Sequence, residues 1–226
     1  LLAFIAFVFY SLFCNDIAFV LGGNLNLAAI SNHMDIALLV YVFGFFGFGV
    51  KAAIFPFHGW LPAASVAPTP VTALLHAVAV VKSGAFAIMR LIIIALVQDA
   101  SWHWAQVVVL IAALITIAYG STLGVREAHF KRRLAYSTIS NLSYILLAVA
   151  AMSPLGLIAG LVNAVHAIMK ISAFFCAGAV MHQTEKNYIY ELDGRGFEMP
   201  VTFMALFISG LSLMGMPLFA GFVSKW

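Results

Sequence analysis

The chain has 226 residues, of which 64% are hydrophobic and 8% charged, with a net charge of +3. A soluble domain is about one quarter charged, so this composition excludes a chain that covers itself with a water-facing surface. The net charge is small and lies in a few connections, which argues against a nucleic-acid partner, and two cysteines, Cys14 and Cys176, are too few for an iron–sulfur cluster with its roughly four ligands.

The apolar runs are longer than barrel strands and lack strict alternation. The expected fold is therefore all-α, a polytopic bundle of transmembrane helices, each needing about 20 apolar residues to span. A first helix is predicted over residues 1–22, followed by the polar connection "GGNLNLAAISNHMD". A second apolar segment runs over 36–57 and is interrupted by "PFHGWLPAASVAPTP", with Pro56, Pro62, Pro68 and Pro70. Proline removes a backbone donor and crowds the carbonyl four residues back, so proline-broken helices are expected here and at Pro217. Apolar helix resumes over 71–98, with a break near Lys82. Further helices are predicted over 104–124, 134–151, 155–181 and 200–226. The whole is read as a single membrane domain, residues 1–226, with about six to seven spans. The chain starts at Leu1 and stops within "MGMPLFAGFVSKW", so it is read as a fragment of a larger subunit.

Arg126, Lys131, Arg132 and Arg133 lie in one connection, and Lys186 and Arg195 in another, two helices later. The two connections should share a side, the cytoplasmic one by the bias of Lys and Arg in short loops. An echo between "FGVKAAIFPFHGW" and "GLSLMGMPLFAGFVSKW" fits the repeated broken helices of transporters.

Several ionisable residues lie within or beside apolar helices: Asp16, Lys51, His58, His76, Lys82, Arg90, His166, Lys170 and Lys225. A charge near the bilayer centre costs at least about 2.5–3.5 kcal/mol on insertion scales. Lys51 and Lys82 are accordingly expected to face the protein interior. Plain alternatives exist for others: Arg90 can snorkel to the headgroups, Asp16 can sit at the interface, His58 can bond a carbonyl freed by proline, and His76 can be a packing residue. Asn163, His166 and Lys170, at i, i+3 and i+7, share one helix face. His166 and Lys170 are about 6 Å apart along the axis, which suits a coupled pair of proton carriers.

Four stretches, "KAAIFPFHGWLP", "APTPVTALLHAVAVVKSG", "KRRLAYSTISNLSYILLA" and "MPLFAGFVSKW", together resemble the proton-antiporter family. That family comprises antiporter-like membrane subunits of respiratory complex I (NADH–quinone oxidoreductase), of membrane-bound hydrogenases and of Mrp-type sodium/proton antiporters. The resemblance implies proton-relay roles for Lys51 before the first break, for Lys82 with His76 beside it, for the pair His166 and Lys170, and for Lys225 in a second broken helix. The family pairs the first lysine with a glutamate on an earlier helix that this chain does not contain. Many members carry an acidic residue after "WLP", where this chain has "AASVAPTP", and some have glutamate where Lys225 stands.

The implied function is a proton-translocating subunit of a redox-driven, complex I-like pump. It would be a non-redox part of a translocase, with other membrane subunits as partners and protons as cargo. The alternative is a subunit of an Mrp-type sodium/proton antiporter. No cofactor and no metal are expected in this chain. The expected location is an energy-transducing membrane, that of a bacterial or archaeal cell, crossed several times.

Overall fold

The computed structural model describes residues 1–12, 26, 32–77, 79–96, 103–151, 153, 155–156, 158, 160, 166–219 and 221–222. Within them the secondary structure is helical. The helices are α1 (Leu2–Leu12), α2 (Met34–Gly49), α3 (Trp60–Ala64), α4 (Thr69–Ala77), α5 (Val80–Leu96), α6 (His103–Arg126), α7 (Phe130–Ala150), α8 (His166–Thr184) and α9 (Pro200–Met214). Asp16, Cys14, Asn163 and Lys225 lie outside the described residues.

Two stretches, 69–91 and 104–126, are long and apolar enough to cross a bilayer. α6 turns Trp104, Val107, Ile111, Leu114 and Ile115 outward. A helix facing water would put polar residues there. Interior apolar residues come from α2 (Tyr41, Phe45), the 52–54 stretch, α5 (Ile88) and α7 (Ile139, Leu142, Ile145), packed in one core. α7 is central, touching α3, α4, α5, α6 and α8.

The predicted segment 36–57 is shorter as a helix, because α2 stops at Gly49. The chain then leaves by turns. Lys51 N–H and Ala52 N–H both donate to Phe48 O, Ala53 N–H to Val50 O, and Ile54 N–H to Gly49 O. Ala53 has φ 58, a left-handed conformation for a residue with a Cβ, which costs about 1 kcal/mol or more and is held by its surroundings. One such restraint is visible: Phe55 N–H donates to Thr116 Oγ1 of α6 at 3.1 Å. Another is Trp60 Nε1–H, which donates to Val50 O at 2.8 Å and closes the non-helical stretch 50–59.

Pro56 lies in that stretch, and Pro68 directly before α4. Pro62 and Pro70 lie in the first turns of α3 and α4, where a missing N–H costs little. Of the predicted segment 71–98, the described residues form two helices, one ending at Ala77 and the next beginning at Val80, just before Lys82. α7 begins four residues earlier than its apolar run, so Lys131, Arg132 and Arg133 are helical. α9 stops at Gly215, whose φ of 86 lets Met216 N–H reach back to Leu211 O. This is a Schellman-type end, and Pro217 follows in the next turn.

The two basic connections meet, in keeping with a common side. Phe130 N–H donates to Asn187 O and Ile189 N–H to Ala128 O, each at 3.0 Å, around an antiparallel bridge between His129 and Tyr188. The His129 ring sits edge-on to Tyr188, with centroids 5.8 Å apart. Burial is the main cause that holds His129 below the ordinary histidine range; Arg132 adds to it, as does Lys131, and Glu127 partly offsets them. An unfolded histidine takes its proton near pH ~6.5, while the folded one stays neutral to lower pH. The stability carried by this neutral ring is therefore full above about pH 6.5 and declines as pH falls from there through the folded pKa. Acidification is expected to raise exchange at the Ile189 amide relative to its intrinsic rate, and His129→Gln to flatten that dependence. An exchange rate that keeps a constant ratio to the intrinsic one would refute it.

Candidate functional site

α4 and α8 run against each other, and their closeness depends on one small residue. A Cβ built on Gly178 would lie 2.7 Å from Thr69 Cβ. In a membrane, small residues at helix contacts are what permit such packing. Farther along the same contact, the His76 ring stacks on Phe174 at a centroid distance of 4.8 Å. Phe174 is one turn from Lys170, and His76 and Lys170 interact electrostatically. Both are 0% exposed.

The Lys170 ammonium is held by α7. It donates to Leu134 O at 3.1 Å and to Ser137 Oγ at 2.8 Å. Ser137 in turn offers its carbonyl to Asn141 Nδ2 at 2.7 Å. Asn141 is 7% exposed, and its Oδ1, like both ring nitrogens of His76, has no hydrogen-bond partner among the described residues. Buried polar atoms are normally satisfied. Lys170 of α8 is thus bonded to α7 and lies one turn from the residue on which His76 of α4 stacks, and His76 and Asn141 each keep a polar atom without a partner among the described residues.

Lys82, the third residue of α5, is half-buried. His76 and Lys82 stand on opposite sides of the α4–α5 junction. Lys51 departs from expectation: it is exposed on this chain rather than turned inward. The reason is local. Ala52, Ala53 and Ile54 are wholly buried, so the turn that sends them inward sends Lys51 out. Its backbone is nonetheless near α5, since a Cβ built on Gly84 would lie 2.7 Å from Ala52 N and 3.0 Å from Lys51 C. The two lysines therefore flank one close backbone contact. His58 stacks on Phe55 at 5.8 Å and meets Tyr119 edge-on at 4.9 Å; its buried Nδ1 has no partner among the described residues. Arg90 is exposed. His166 opens α8, but its side chain, and with it the expected pairing with Lys170, lies outside the described residues, as does Lys225.

Sequence reasoning missed Ser137, Asn141 and Thr116. The run "AYSTISNLSY" carried a signal for the first two, since hydroxyl and amide side chains crowd an otherwise apolar helix. It also placed Lys131 in a solvated loop, where the structure buries it.

A family model described as NADH:quinone oxidoreductase/Mrp antiporter, transmembrane, matches residues 2–226. The A/B component of a probable K(+)/H(+) antiporter of Rhizobium meliloti is 37% identical over 198 residues, covering 87% of this chain and 19% of that protein. The NADH-quinone oxidoreductase subunit N of Desulforudis audaxviator is 35% identical over 195 residues, covering 84% of this chain and 38% of that one. Among solved structures, a chain of the Mrp complex from a Dietzia species superposes with a TM-score of 0.80 at 28% identity, over 99% of this chain and 41% of its own length. The chain thus spans well under half the length of each of these relatives.

Proposed function

The chain belongs to the NADH:quinone oxidoreductase/Mrp antiporter transmembrane family, an integral membrane family of antiporter-like subunits, and from that premise we propose that it carries protons through buried lysine and histidine side chains, as a multi-pass subunit of a redox-driven, complex I-like pump. The observation that carries this reading is Lys170: wholly buried, its ammonium bonded by Leu134 O and Ser137 Oγ and adjoined by His76. An ammonium in such a place is expensive, and a residue that can shed its charge to a neighbour has a use for the location.

In this reading Lys51, His76, Lys82, His166, Lys170 and Lys225 form the relay. The non-helical stretch 50–59, with Pro56, admits water beside Lys51; irregular backbone at membrane depth is tolerated where it lines a cavity or lies in protein. The stretch after α9, with Pro217, serves Lys225 in the same way. In this reading the chain needs no cofactor or metal of its own, and other membrane subunits and a redox partner complete the machine. The second reading, a subunit of an Mrp-type antiporter that also moves sodium, is favoured by the relative named as part of an antiporter and by the Mrp superposition. Co-purification decides between them: iron–sulfur proteins accompany the first, only small membrane subunits the second.

Lys82→Ala is the direct test of the relay. Transport in reconstituted vesicles should slow by about tenfold or more, in the range a lost proton carrier produces, while the complex still assembles. A wild-type rate in the assembled variant would remove Lys82 from the path.

A further inference from the structure

Resting on the relay reading above, we propose that Lys131 is a positioning residue, tying the start of α4 to α7 so that His76 stays beside Lys170. Lys131 belongs to a basic run with Arg132 and Arg133, and those two are exposed. Lys131 turns the other way and is 7% exposed. Its Nζ crosses to the turn before α4 and donates to Ala67 O at 3.2 Å. Ala67 directly precedes Pro68, and α4 begins at Thr69.

The bond joins two parts of one frame. One turn further along α7, Leu134 O accepts from Lys170, and Ser137 Oγ does so another turn on. α7 therefore grips α8 through Lys170 and the beginning of α4 through Lys131. α4 and α8 in turn meet at Thr69 with Gly178 and at His76 with Phe174. α4 is short, ending at Ala77, so its first turn is a point at which its placement can be anchored. A charged donor on a backbone carbonyl is stronger than a neutral one, and it fixes the carbonyl without competing for the α4 ladder, in which Thr72 N–H already uses Pro68 O.

The test uses the full-length protein in its assembled complex, reconstituted in vesicles, with Lys131→Met, Lys131→Gln and Lys131→Arg beside Lys170→Met. The Lys131→Met complex should assemble and transport about tenfold more slowly, a loss of the size expected for one charge-assisted hydrogen bond. Lys131→Arg, which keeps the donor, should restore the rate. Nitroxide labels at Val71 and Arg132, in a background with every other cysteine replaced by serine, Cys14 and Cys176 included, should report a broadened separation in Lys131→Met alone. A wild-type rate in Lys131→Met with Lys170→Met inactive overturns the role of Lys131 and leaves the relay standing. A wild-type rate in Lys170→Met removes the relay and this inference with it. If Lys131→Met does not assemble, Lys131→Gln is read by the same criteria. If neither assembles while Lys131→Arg behaves as wild type, Lys131 is an assembly contact and the positioning role is overturned.

Discussion

Lys170→Met is expected to lower ion transport by about a hundredfold while leaving the assembled complex intact. The methionine keeps an unbranched stem of similar length, so the packing beside Phe174 survives, and only the ammonium is lost. Replacing a buried charged group by an apolar one of similar volume is often neutral or stabilising. Leu134 O loses the lysine but keeps the Thr138 hydroxyl, which donates to it at 3.0 Å. Ser137 Oγ loses its bond to Nζ, a cost on the order of 1 kcal/mol. Stability and transport should therefore separate. Lys170→Arg sharpens the test. A guanidinium keeps the charge and the donors but does not release a proton in a protein. If Lys170 hands protons on, arginine should be nearly as inactive as methionine, with a loss within the range of general acid–base residues, about 10²–10⁴. Proton uptake into vesicles, followed with a pH-sensitive dye, measures this. Wild-type uptake in Lys170→Arg would reduce the residue to a fixed charge.

Gly84→Val should be the most damaging single change near Lys51 and Lys82. The nearest atoms that even a first methyl would meet are backbone, Ala52 N at 2.7 Å and Lys51 C at 3.0 Å. Neither can swing aside as a side chain does. Overpacking costs about 1–3 kcal/mol and sometimes more, and here the added volume forces α5 off the 51–54 turn, whose Ala52, Ala53 and Ile54 are wholly buried. Lys82, two residues away on α5, moves with it. The expected result is a lower thermal midpoint for the complex and transport reduced in step. Gly59→Ala is the matched control. Gly59 has φ −60 and no atom within 4 Å of its added Cβ, so alanine there should change stability by no more than ~1 kcal/mol, and in the favourable direction. Equal damage from both substitutions would show that the close contact at Gly84 is not what matters.

Much of this protein is legible from composition and period. An apolar fraction of 64% with 8% charge leaves no way to face water, and long runs without alternation leave helices as the spanning element. Lys170 and His76 were identifiable because an ionisable group in an apolar run is costly wherever the helix points, and both are wholly buried. That the two basic connections share a side was legible from the two helices between them; that they touch, at His129 and Tyr188, was not.

What only the tertiary structure decided is which face of each helix meets which neighbour. Helical period shows which residues share a side and not what that side touches. The partners of Lys170, Leu134 O and Ser137 Oγ, come from a helix more than thirty residues away, and the acceptor for Phe55 N–H, Thr116, from one 61 residues away. For the same reason Lys131 and Lys51 reverse their expected places. Lys131 follows a loop, yet it is buried because the turn before α4 passes over the start of α7 and offers it the Ala67 carbonyl. Lys51 follows an apolar helix, yet it is exposed because Ala52, Ala53 and Ile54 take the interior. Burial belongs to the contact between two elements, and no periodicity within one of them encodes it.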